Sequence, residues 1–246
     1  MARTAIVTGA GSGVGRAAAK ALAARGLHVV CVGRRLQPLR ETAESIGHAA
    51  HALPADVATE DGVAAVRDAV DGDSLATVVH AAGIEGLVTL ADTDRSTFDA
   101  LVATNLGGPF FLTQALLPAF EDGGSIVFVG SVAAVLGRDH HAAYGATKAG
   151  LLGLTVNLAA ELAPRVRVNC VCLGAIRTPM LAQAVAEYTA SVGEAKAQQT
   201  LAVERPRMLL GVAEPELAAR SIVHLALDAG FTTGSVLYAD GGYTAR

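Results

Sequence analysis

The sequence predicts an α/β protein built on one doubly wound sheet of about seven parallel strands, with helices on both faces. Three observations support this fold class. Short runs rich in Val and Ile alternate with amphipathic stretches, the runs lack polar alternation, and a glycine-rich turn follows the first run. Runs such as Thr77-Val78-Val79 are typical of strands covered by helices on both sides. The chain of 246 residues is 52% hydrophobic and 17% charged, which excludes a disordered polypeptide.

Seven strands are predicted in order along the chain, and helical patterns fill the gaps between them. The strands are expected over Thr4–Thr8, His28–Val32, Ala50–Leu53, Ala76–His80, Ser125–Gly130, Val166–Cys172 and Ser235–Ala239. No Pro/Ser-rich linker, charge block or repeat divides the chain, so residues 1–246 are predicted to form a single domain. The segment 177–212 interrupts the alternation. Because it follows the carboxyl end of a strand, we expect it to form a substrate lid.

The charge and the cysteine content argue against a nucleic-acid partner and against a bound metal ion. The net charge is −4 and the only basic run is Arg34-Arg35, so no nucleic-acid partner is expected. Cys31, Cys170 and Cys172 have no further Cys or spaced His pair that would complete a ligand set. We therefore expect no metal site.

An uncharged stretch from Ala100 to Phe120 is long enough to cross a bilayer. It contains Asn105, the run Gly107-Gly108-Pro109 and Gln114, so a buried helix is predicted rather than a membrane span. The first residues form a strand pattern without the apolar core of a signal peptide. A cytoplasmic protein is expected.

A glycine-rich turn, Thr8-Gly9-Ala10-Gly11-Ser12-Gly13-Val14-Gly15, joins the first strand to the first helical pattern. Glycines allow a sharp turn and a close approach of the backbone to a pyrophosphate, and the helix N-terminus supplies free N–H groups. The turn therefore predicts nucleotide binding. A tight turn without a ligand is the alternative for the motif alone.

The end of the second strand favours one coenzyme over another. A carboxylate about twenty residues beyond the glycine turn would bind the adenosine ribose hydroxyls of NAD. Here the strand ends at Gly33-Arg34-Arg35, and no acid precedes Glu41. Two guanidiniums can bind a 2′-phosphate, so NADP(H) is favoured over NAD(H). The alternative is that both arginines are solvated loop charges.

Tyr144 and Lys148 lie four residues apart in a helical pattern and therefore on one helix face. A free phenol needs its pKa lowered by about three units, or about 4 kcal/mol, to act as an acid/base at neutral pH. A cation 4 to 5 Å away supplies about 3 to 4 kcal/mol at an effective dielectric near 20. Such a pair is usually a surface pair, but Lys148 is one of only three lysines beside sixteen arginines. Ser131, at the carboxyl end of the fifth strand, lies on the correct side of the sheet to polarise a carbonyl.

Taken together, these residues give the chain a resemblance to the single-domain short-chain dehydrogenases/reductases, over essentially all 246 residues. The fold is then expected to be Rossmann-like, and the likeness is to 3-oxoacyl-(acyl-carrier-protein) reductases. The motifs that carry it are Thr8 to Gly15, Asp56-Val57, Ala81-Ala82-Gly83, Asn105, Ser131, Tyr144 with Lys148, and Gly174-Ala175-Ile176-Arg177-Thr178.

The resemblance implies a role for each matching residue. Tyr144 is the general acid/base, Lys148 lowers its pKa and binds the nicotinamide ribose, Ser131 orients the substrate oxygen, and Asn105 holds a water of the proton relay. Coenzyme contacts are implied for Gly9, Ser12, Gly13, Val14, Gly15, Arg34, Arg35, Asp56, Val57, Ala81, Ala82, Gly83, Ile176 and Thr178. The family usually has Asn-Asn-Ala-Gly where this chain has His80-Ala81-Ala82-Gly83, so His80 is expected to be a structural histidine behind the coenzyme.

The leading hypothesis is an NADP(H)-dependent oxidoreductase that interconverts a ketone and a secondary alcohol. The apolar face of the lid suggests a largely apolar substrate, and the resemblance suggests a 3-oxoacyl thioester. Two alternatives remain: an NAD-dependent alcohol, steroid or sugar dehydrogenase, and a non-catalytic nucleotide-binding regulatory protein. His140 and His141 are either solvated loop residues or substrate contacts. By resemblance, a homotetramer or homodimer is expected.

Overall fold

The computed structural model describes residues 3–70, 72 and 74–245; Met1, Ala2, Asp71, Asp73 and Arg246 lie outside the described residues. Seven strands form one sheet in the order β3-β2-β1-β4-β5-β6-β7, and every neighbouring pair is parallel. They are β1 (Arg3–Thr8), β2 (His28–Gly33), β3 (Ala50–Pro54), β4 (Ser74–His80), β5 (Phe120–Ser131), β6 (Val166–Leu173) and β7 (Val236–Ala239). The predicted doubly wound sheet is confirmed.

The strand order reverses beside β1, which pairs with β2 on one side and with β4 on the other. Loops that leave the carboxyl ends of these strands turn to opposite faces of the sheet, and a crevice opens between them. The glycine-rich turn follows β1 directly. The topology therefore puts that turn at the crevice.

Nine α-helices are present in the described part of the chain. They are α1 (Gly13–Ala24), α2 (Leu36–Ile46), α3 (Glu60–Asp68), α4 (Arg95–Val102), α5 (Gly108–Leu116), α6 (Ala142–Leu162), α7 (Pro179–Val192), α8 (Glu194–Glu204) and α9 (Pro215–Val223). Buried side chains of α1, α2 and α9 pack on one face of the sheet. Those of α3, α5 and α6 pack on the other face. Both faces are therefore covered, as the unbroken apolar strands predict.

The helical segment Arg95–Ala119 is long and apolar enough, by length and composition alone, to cross a membrane. It contains α4, a π-helical turn at Ala103–Gly107, and α5. Leu101, Leu112 and Leu116 are buried in the core, as predicted for a core helix. The opposite face differs from the prediction, because Phe110 and Phe111 remain 40% and 57% exposed.

Strand β5 begins five residues before its predicted start at Ser125. Gly123 has φ +84° and its N–H donates to the carbonyl of Arg165, which produces an irregularity in the pairing with β4. A left-handed glycine of this kind allows a strand to continue through a bulge. Turn residues such as Asp122-Gly123-Gly124 therefore placed the predicted start of the strand too late.

The segment 177–212 forms α7, α8 and a 3₁₀ turn at Arg205–Arg207. The chain leaves the sheet and returns to it at one place, because Ile176 pairs with Ala213 and the N–H of Arg177 donates to the Ala213 carbonyl over 2.8 Å. Arg177 also forms an ion pair with Glu214 at 2.7 Å. The segment is therefore an excursion closed at its base, beyond the carboxyl end of β6.

Candidate active site

A cavity of about 590 Å³ opens at the carboxyl ends of the strands, between the glycine turn and helices α7 and α8. Its volume lies in the range typical of ligand sites. Every residue that the sequence analysis singled out for coenzyme binding or catalysis lines this cavity, except Asn105. The fold therefore brings motifs from nearly the whole chain to one site.

The glycine turn forms a cradle into which side chains do not fit. A Cβ on Gly9, whose φ is +69°, would lie 2.8 Å from the Ala81 carbonyl oxygen. A Cβ on Gly15 would overlap the carbonyl oxygen of Gly9. Ser12 precedes α1 without a side-chain cap, so the helix presents its N-terminal N–H groups to the cavity. These groups fit the pyrophosphate of a dinucleotide.

Two arginines line the cavity where β2 ends. Gly33, Arg34 and Arg35 lie there, and this stretch contributes no carboxylate to the cavity. Asp56, which follows the neighbouring strand β3, also lines the cavity, and one of its carboxylate oxygens accepts from the N–H of Ala58 at 3.0 Å. Two guanidiniums without a neighbouring acid fit a 2′-phosphate better than two ribose hydroxyls.

Thr8 supports the turn after β4, a role that the sequence analysis missed. Its hydroxyl accepts a hydrogen bond of 3.0 Å from the N–H of Ala82. The family pattern has two Asn residues where this chain has His80 and Ala81. The bond from Ala82 to Thr8 replaces part of the support that their amide side chains would give to the turn. His80 is 2% exposed, its ring lies 3.0 Å from the Thr113 hydroxyl, and burial lowers its pKa to about 3. The predicted structural role of His80 is thereby supported.

Ser131, Tyr144 and Lys148 approach one another because α6 crosses close to the end of β5. A Cβ on Gly145 would lie 2.8 Å from the Ala133 carbonyl oxygen, so the glycine beside Tyr144 permits this approach. The ammonium of Lys148 donates to the Val129 carbonyl at 2.9 Å and lies 5.8 Å from the Tyr144 ring centroid. The phenol, the ammonium and the Ser131 hydroxyl thus share one wall of the cavity.

Burial dominates the protonation of these groups. It raises the pKa of Tyr144 above its ordinary value, and the carboxylate of Glu85 acts in the same direction. The Ser131 side chain and the Arg138 charge lower the pKa of Tyr144. Burial lowers the pKa of Lys148 to about 8. The lowering of the phenol pKa by Lys148 remains a prediction for the coenzyme-bound protein.

Asn105 lies in the π-helical turn between α4 and α5, directly behind the cavity wall. It is fully buried, and its amide nitrogen donates to the Ile84 carbonyl at 2.9 Å and to the Thr147 hydroxyl at 3.2 Å. Its amide oxygen accepts from the Ile84 N–H, and Thr147 donates to the Tyr144 carbonyl at 2.7 Å. Asn105 therefore links the loop after β4 to the helix of Tyr144. Its proposed contact with a water remains a prediction.

A group of polar residues on the substrate side was not predicted from the sequence, apart from His141. We call it the polar rim: Glu85, Arg138, His141, Glu204 and Tyr243. Burial raises the pKa of Glu85 and lowers that of His141, and their side chains approach to 3.7 Å. Residues far apart in sequence compose this rim, so no local pattern marked it.

The lid forms a second, apolar wall. Met180, Leu181, Val185, Leu201 and Met208 line the cavity from α7, α8 and the segment that follows. These apolar lid residues thus lie toward the cavity, whereas Leu209 and Leu210 are 45% and 85% exposed. Glu204 of the polar rim belongs to α8, so the lid contributes both apolar and charged groups to the cavity.

Comparisons with known proteins identify relatives over almost the entire chain. A family model described as short chain dehydrogenase matches residues 3–189. Carbonyl reductase family member 4 of Danio rerio is 34% identical over 247 residues, covering 98% of this chain and 98% of that protein. The 3-oxoacyl-(acyl-carrier-protein) reductase of Mus musculus is 32% identical over 246 residues, covering 98% of each.

Solved structures resemble the chain equally broadly. The short-chain dehydrogenase/reductase SDR:Glucose/ribitol dehydrogenase from Brucella melitensis superposes with a TM-score of 0.87 at 30% identity. The match covers 98% of this chain and 96% of that one. The similarity therefore extends to the glycine turn, the catalytic wall and the lid alike.

Proposed function

The chain belongs to the short-chain dehydrogenase family and is an oxidoreductase acting between alcohols and ketones with a nicotinamide coenzyme; from that premise we propose that its coenzyme is NADP(H) and that Tyr144 is the acid/base. The observation that carries the proposal is the shared cavity. Gly9 to Gly15, Arg34 and Arg35 line one end, and Ser131, Tyr144 and Lys148 line the middle.

When bound, NADP(H) supplies or accepts the hydride at its nicotinamide ring. The phenol of Tyr144 gives its proton to the carbonyl oxygen during reduction and takes the hydroxyl proton during oxidation. Ser131 donates a hydrogen bond to the same substrate oxygen and polarises the carbonyl. Ile176 and Thr178 also line the cavity and would contact the carboxamide of the bound coenzyme.

Lys148 has two tasks in this mechanism. One of its N–H groups is bonded to Val129, which fixes the ammonium, and the remaining donors face the cavity for the nicotinamide ribose. Its positive charge favours the phenolate over the phenol when Tyr144 loses its proton. The Asn105 bonds to Ile84 and Thr147 keep α6 in position for both residues.

The catalytic assignment is tested by Tyr144→Phe, with Tyr188→Phe, another tyrosine that lines the cavity, as a matched control. We expect a loss of kcat by about 10³-fold for Tyr144→Phe and unchanged NADPH affinity, because the substitution removes a proton donor and little contact area. Tyr188→Phe is expected to retain kcat within a few-fold. Full activity of Tyr144→Phe would overturn the assignment.

The coenzyme preference is tested by fluorescence titration of the protein with NADPH and with NADH. The 2′-phosphate adds charge-assisted hydrogen bonds to Arg34 and Arg35, so we expect at least about tenfold tighter binding of NADPH. Substituting Gly33→Asp together with Arg34→Ala should reverse the preference, because a carboxylate then faces the 2′ position. Tighter NADH binding by the unmodified protein would contradict the proposal.

We infer that the segment 177–212 acts as the substrate lid. Its apolar wall supports contact with an apolar part of the substrate, such as the chain of a 3-oxoacyl thioester. The polar rim, which includes Glu204 of the lid itself, favours a polar part as well. The two relatives named above for carbonyl and 3-oxoacyl substrates, and the structure named for glucose or ribitol, cover both kinds of chemistry.

We propose a cytoplasmic homotetramer or homodimer built on the helices adjoining Asn105 and Tyr144. Phe110 and Phe111 are 40% and 57% exposed on α5, and Val156 is 51% exposed on α6. A groove between these helices is lined by Leu106, Leu154 and both phenylalanines. Apolar area of this kind is typical of subunit interfaces. Sedimentation analysis of Phe111→Arg tests it, and a protein that stays equally associated would exclude this face.

A further inference from the structure

The polar rim contains buried polar atoms that the protein itself leaves without hydrogen bonds. The Tyr243 hydroxyl and one carboxylate oxygen of Glu204 are buried, and neither has a hydrogen-bond partner among the described residues. Tyr243 is only 2% exposed, and both residues line the cavity. Buried polar groups in folded proteins are nearly always bonded to protein, water or ligand. These atoms therefore lack partners that a ligand can provide.

The ion pairs of the rim are also more open than most ion pairs elsewhere in the described chain. Arg138 Nη2 lies 3.9 Å from Glu204 Oε2, and His141 Nε2 lies 3.7 Å from Glu85 Oε1. By contrast, the exposed pairs Arg95–Asp99 and Arg177–Glu214 close to 2.9 and 2.7 Å. The rim pairs are beyond direct hydrogen-bond distance, although they are partly buried.

A hydroxyl group fits such an open pair. An oxygen about 2.8 Å from each of two atoms can bond both when they are about 4 Å apart. A hydroxyl donates one hydrogen bond and accepts two, so it can donate to the Glu204 carboxylate and accept from the Arg138 guanidinium. The Glu85 carboxylate can accept a hydrogen bond from a second hydroxyl. The Tyr243 hydroxyl offers a further donor and acceptor nearby.

Other substrate classes match this rim less well. A carboxylate group would gain Arg138 but would approach the carboxylates of Glu85 and Glu204. An ammonium group would gain the carboxylates but would approach Arg138. A thioester or hydrocarbon has no donor, so the buried Glu204 oxygen would stay unbonded, which weakens binding.

We propose that the substrate is a neutral polyhydroxylated alcohol or its ketone, such as a ring polyol or sugar-like compound, and that Glu204, Arg138 and Tyr243 select it by bonding hydroxyls that do not react. This inference rests on the proposed function, because the reacting hydroxyl still transfers its proton to Tyr144. The carbon skeleton of the same molecule packs on the apolar lid wall.

The test compares substrates that differ only in their hydroxyls. Oxidation with NADP⁺ is followed by absorbance for cyclohexanol, the cyclohexane-1,2- and 1,3-diols, several inositol stereoisomers and hexopyranoses. A 3-hydroxybutanoyl thioester represents the acyl class. We expect kcat/KM for the best polyol to exceed that for cyclohexanol and for the thioester by about 100-fold or more, because a site built to bond hydroxyls rejects analogues that lack them.

Two substitutions connect this preference to the rim. Glu204→Gln and Tyr243→Phe should each lower kcat/KM for the polyol by about tenfold, mainly through KM, and lower that for cyclohexanol by a much smaller factor, so that the advantage of the polyol shrinks. Glu194→Gln is the matched control, since Glu194 is an exposed carboxylate at the other end of α8 whose side chain accepts a hydrogen bond from Gln198. It should leave both substrates unchanged.

Binding is measured independently of turnover by calorimetry on the Tyr144→Phe protein loaded with NADP⁺, where the polyol should bind more tightly than cyclohexanol. Turnover of cyclohexanol or the thioester with no advantage for any polyol would overturn this inference and leave the proposed function intact. Equal losses for cyclohexanol and polyol in Glu204→Gln would also overturn it. Absence of any NADP(H)-dependent turnover would instead reject the proposed function, and this inference with it.

Discussion

Behind the catalytic wall, Asn105 and Thr147 are buried with hydrogen bonds on both sides, and Lys148 is fixed to a backbone carbonyl. In the polar rim, Tyr243 is 2% exposed and the Glu204 side chain is 15% exposed, and each includes a buried atom with no hydrogen bond among the described residues. Polar groups behind the catalytic wall are therefore bonded within the protein, whereas some of those in the rim are not.

This difference indicates that proton transfer and substrate selection depend on different groups of the site. Groups that move a proton must be in position before the substrate arrives, so the protein itself provides their bonds. Groups that select a substrate gain discrimination when their partners come from the ligand alone. Stability should therefore depend on the catalytic side, and substrate choice on the rim.

The largest effect is expected from Gly15→Ala in the coenzyme cradle. The added Cβ would overlap the Gly9 carbonyl oxygen, which is backbone and cannot move aside without disturbing the turn. We expect the free energy of unfolding to fall by at least about 3 kcal/mol and NADPH binding to be lost. Urea unfolding and fluorescence titration measure both.

Gly230→Ala is the control for that substitution. Gly230 is exposed, its φ is not positive, and a Cβ there would meet nothing within 4 Å. Stability should stay within about 0.5 kcal/mol of the unmodified protein, and coenzyme affinity should not change. Equal damage from both substitutions would mean that the cradle is no tighter than an ordinary loop.

Stability effects of intermediate size are expected from a pair of substitutions, one behind the catalytic wall and one in the polar rim. Thr147→Val keeps the side-chain shape but removes the hydroxyl that accepts from one N–H of Asn105 and donates to the Tyr144 carbonyl, so the free energy of unfolding should fall by about 1 to 3 kcal/mol. Tyr243→Phe removes a hydroxyl that has no hydrogen-bond partner among the described residues, so stability should stay the same or rise slightly. Both are measured from urea midpoints. A larger loss for Tyr243→Phe than for Thr147→Val would invert the comparison.

The smallest effect concerns pH and the buried ammonium. Burial lowers the pKa of Lys148 from 10.5 to about 8, so between these values the unfolded chain binds more protons than the folded chain. The free energy of unfolding must therefore rise with pH in this window, by about 1.5 kcal/mol between pH 8 and 9.5.

The matching variant for that measurement is Lys148→Met, which cannot titrate. The free energy of unfolding of Lys148→Met should lack this rise. The unfolding free energy of the unmodified protein minus that of the variant should therefore increase by about 1.5 kcal/mol between pH 8 and 9.5. Parallel curves from pH 8 to 9.5 would contradict the lowered pKa. Staying below pH 10 keeps the titration of Tyr144 out of the comparison.

The sheet could be predicted from sequence because buried parallel strands carry their signal locally, in runs such as Thr77-Val78-Val79. The catalytic wall could be predicted for a similar reason, since Tyr144 and Lys148 are four residues apart on one helix. What could not be foreseen locally was the π-helical turn at Ala103–Gly107 that aims Asn105 behind the wall. Turns of this kind depend on tertiary partners, here Ile84 and Thr147.

The polar rim was missed for a different physical reason. Glu85, Arg138, Glu204 and Tyr243 come from four separate parts of the chain, and each resembles an ordinary surface charge or terminal residue in its own neighbourhood. The tertiary fold brings them to one cavity. The apolar positions of the lid predicted a largely apolar substrate, and this stays a prediction beside the charged groups of the rim.

The closure of the segment 177–212 at Ile176 and Ala213 has an evolutionary consequence. The segment leaves the sheet and returns to it at the same place. Its length and sequence can therefore change as a unit, because loop closure entropy changes only slowly with length. The proton-transfer machinery behind it would be left untouched. Descendants of this chain could thus acquire new substrates by rewriting the part of the segment beyond Thr178, about one seventh of the chain, while the residues proposed to bind the coenzyme and transfer the proton are inherited unchanged.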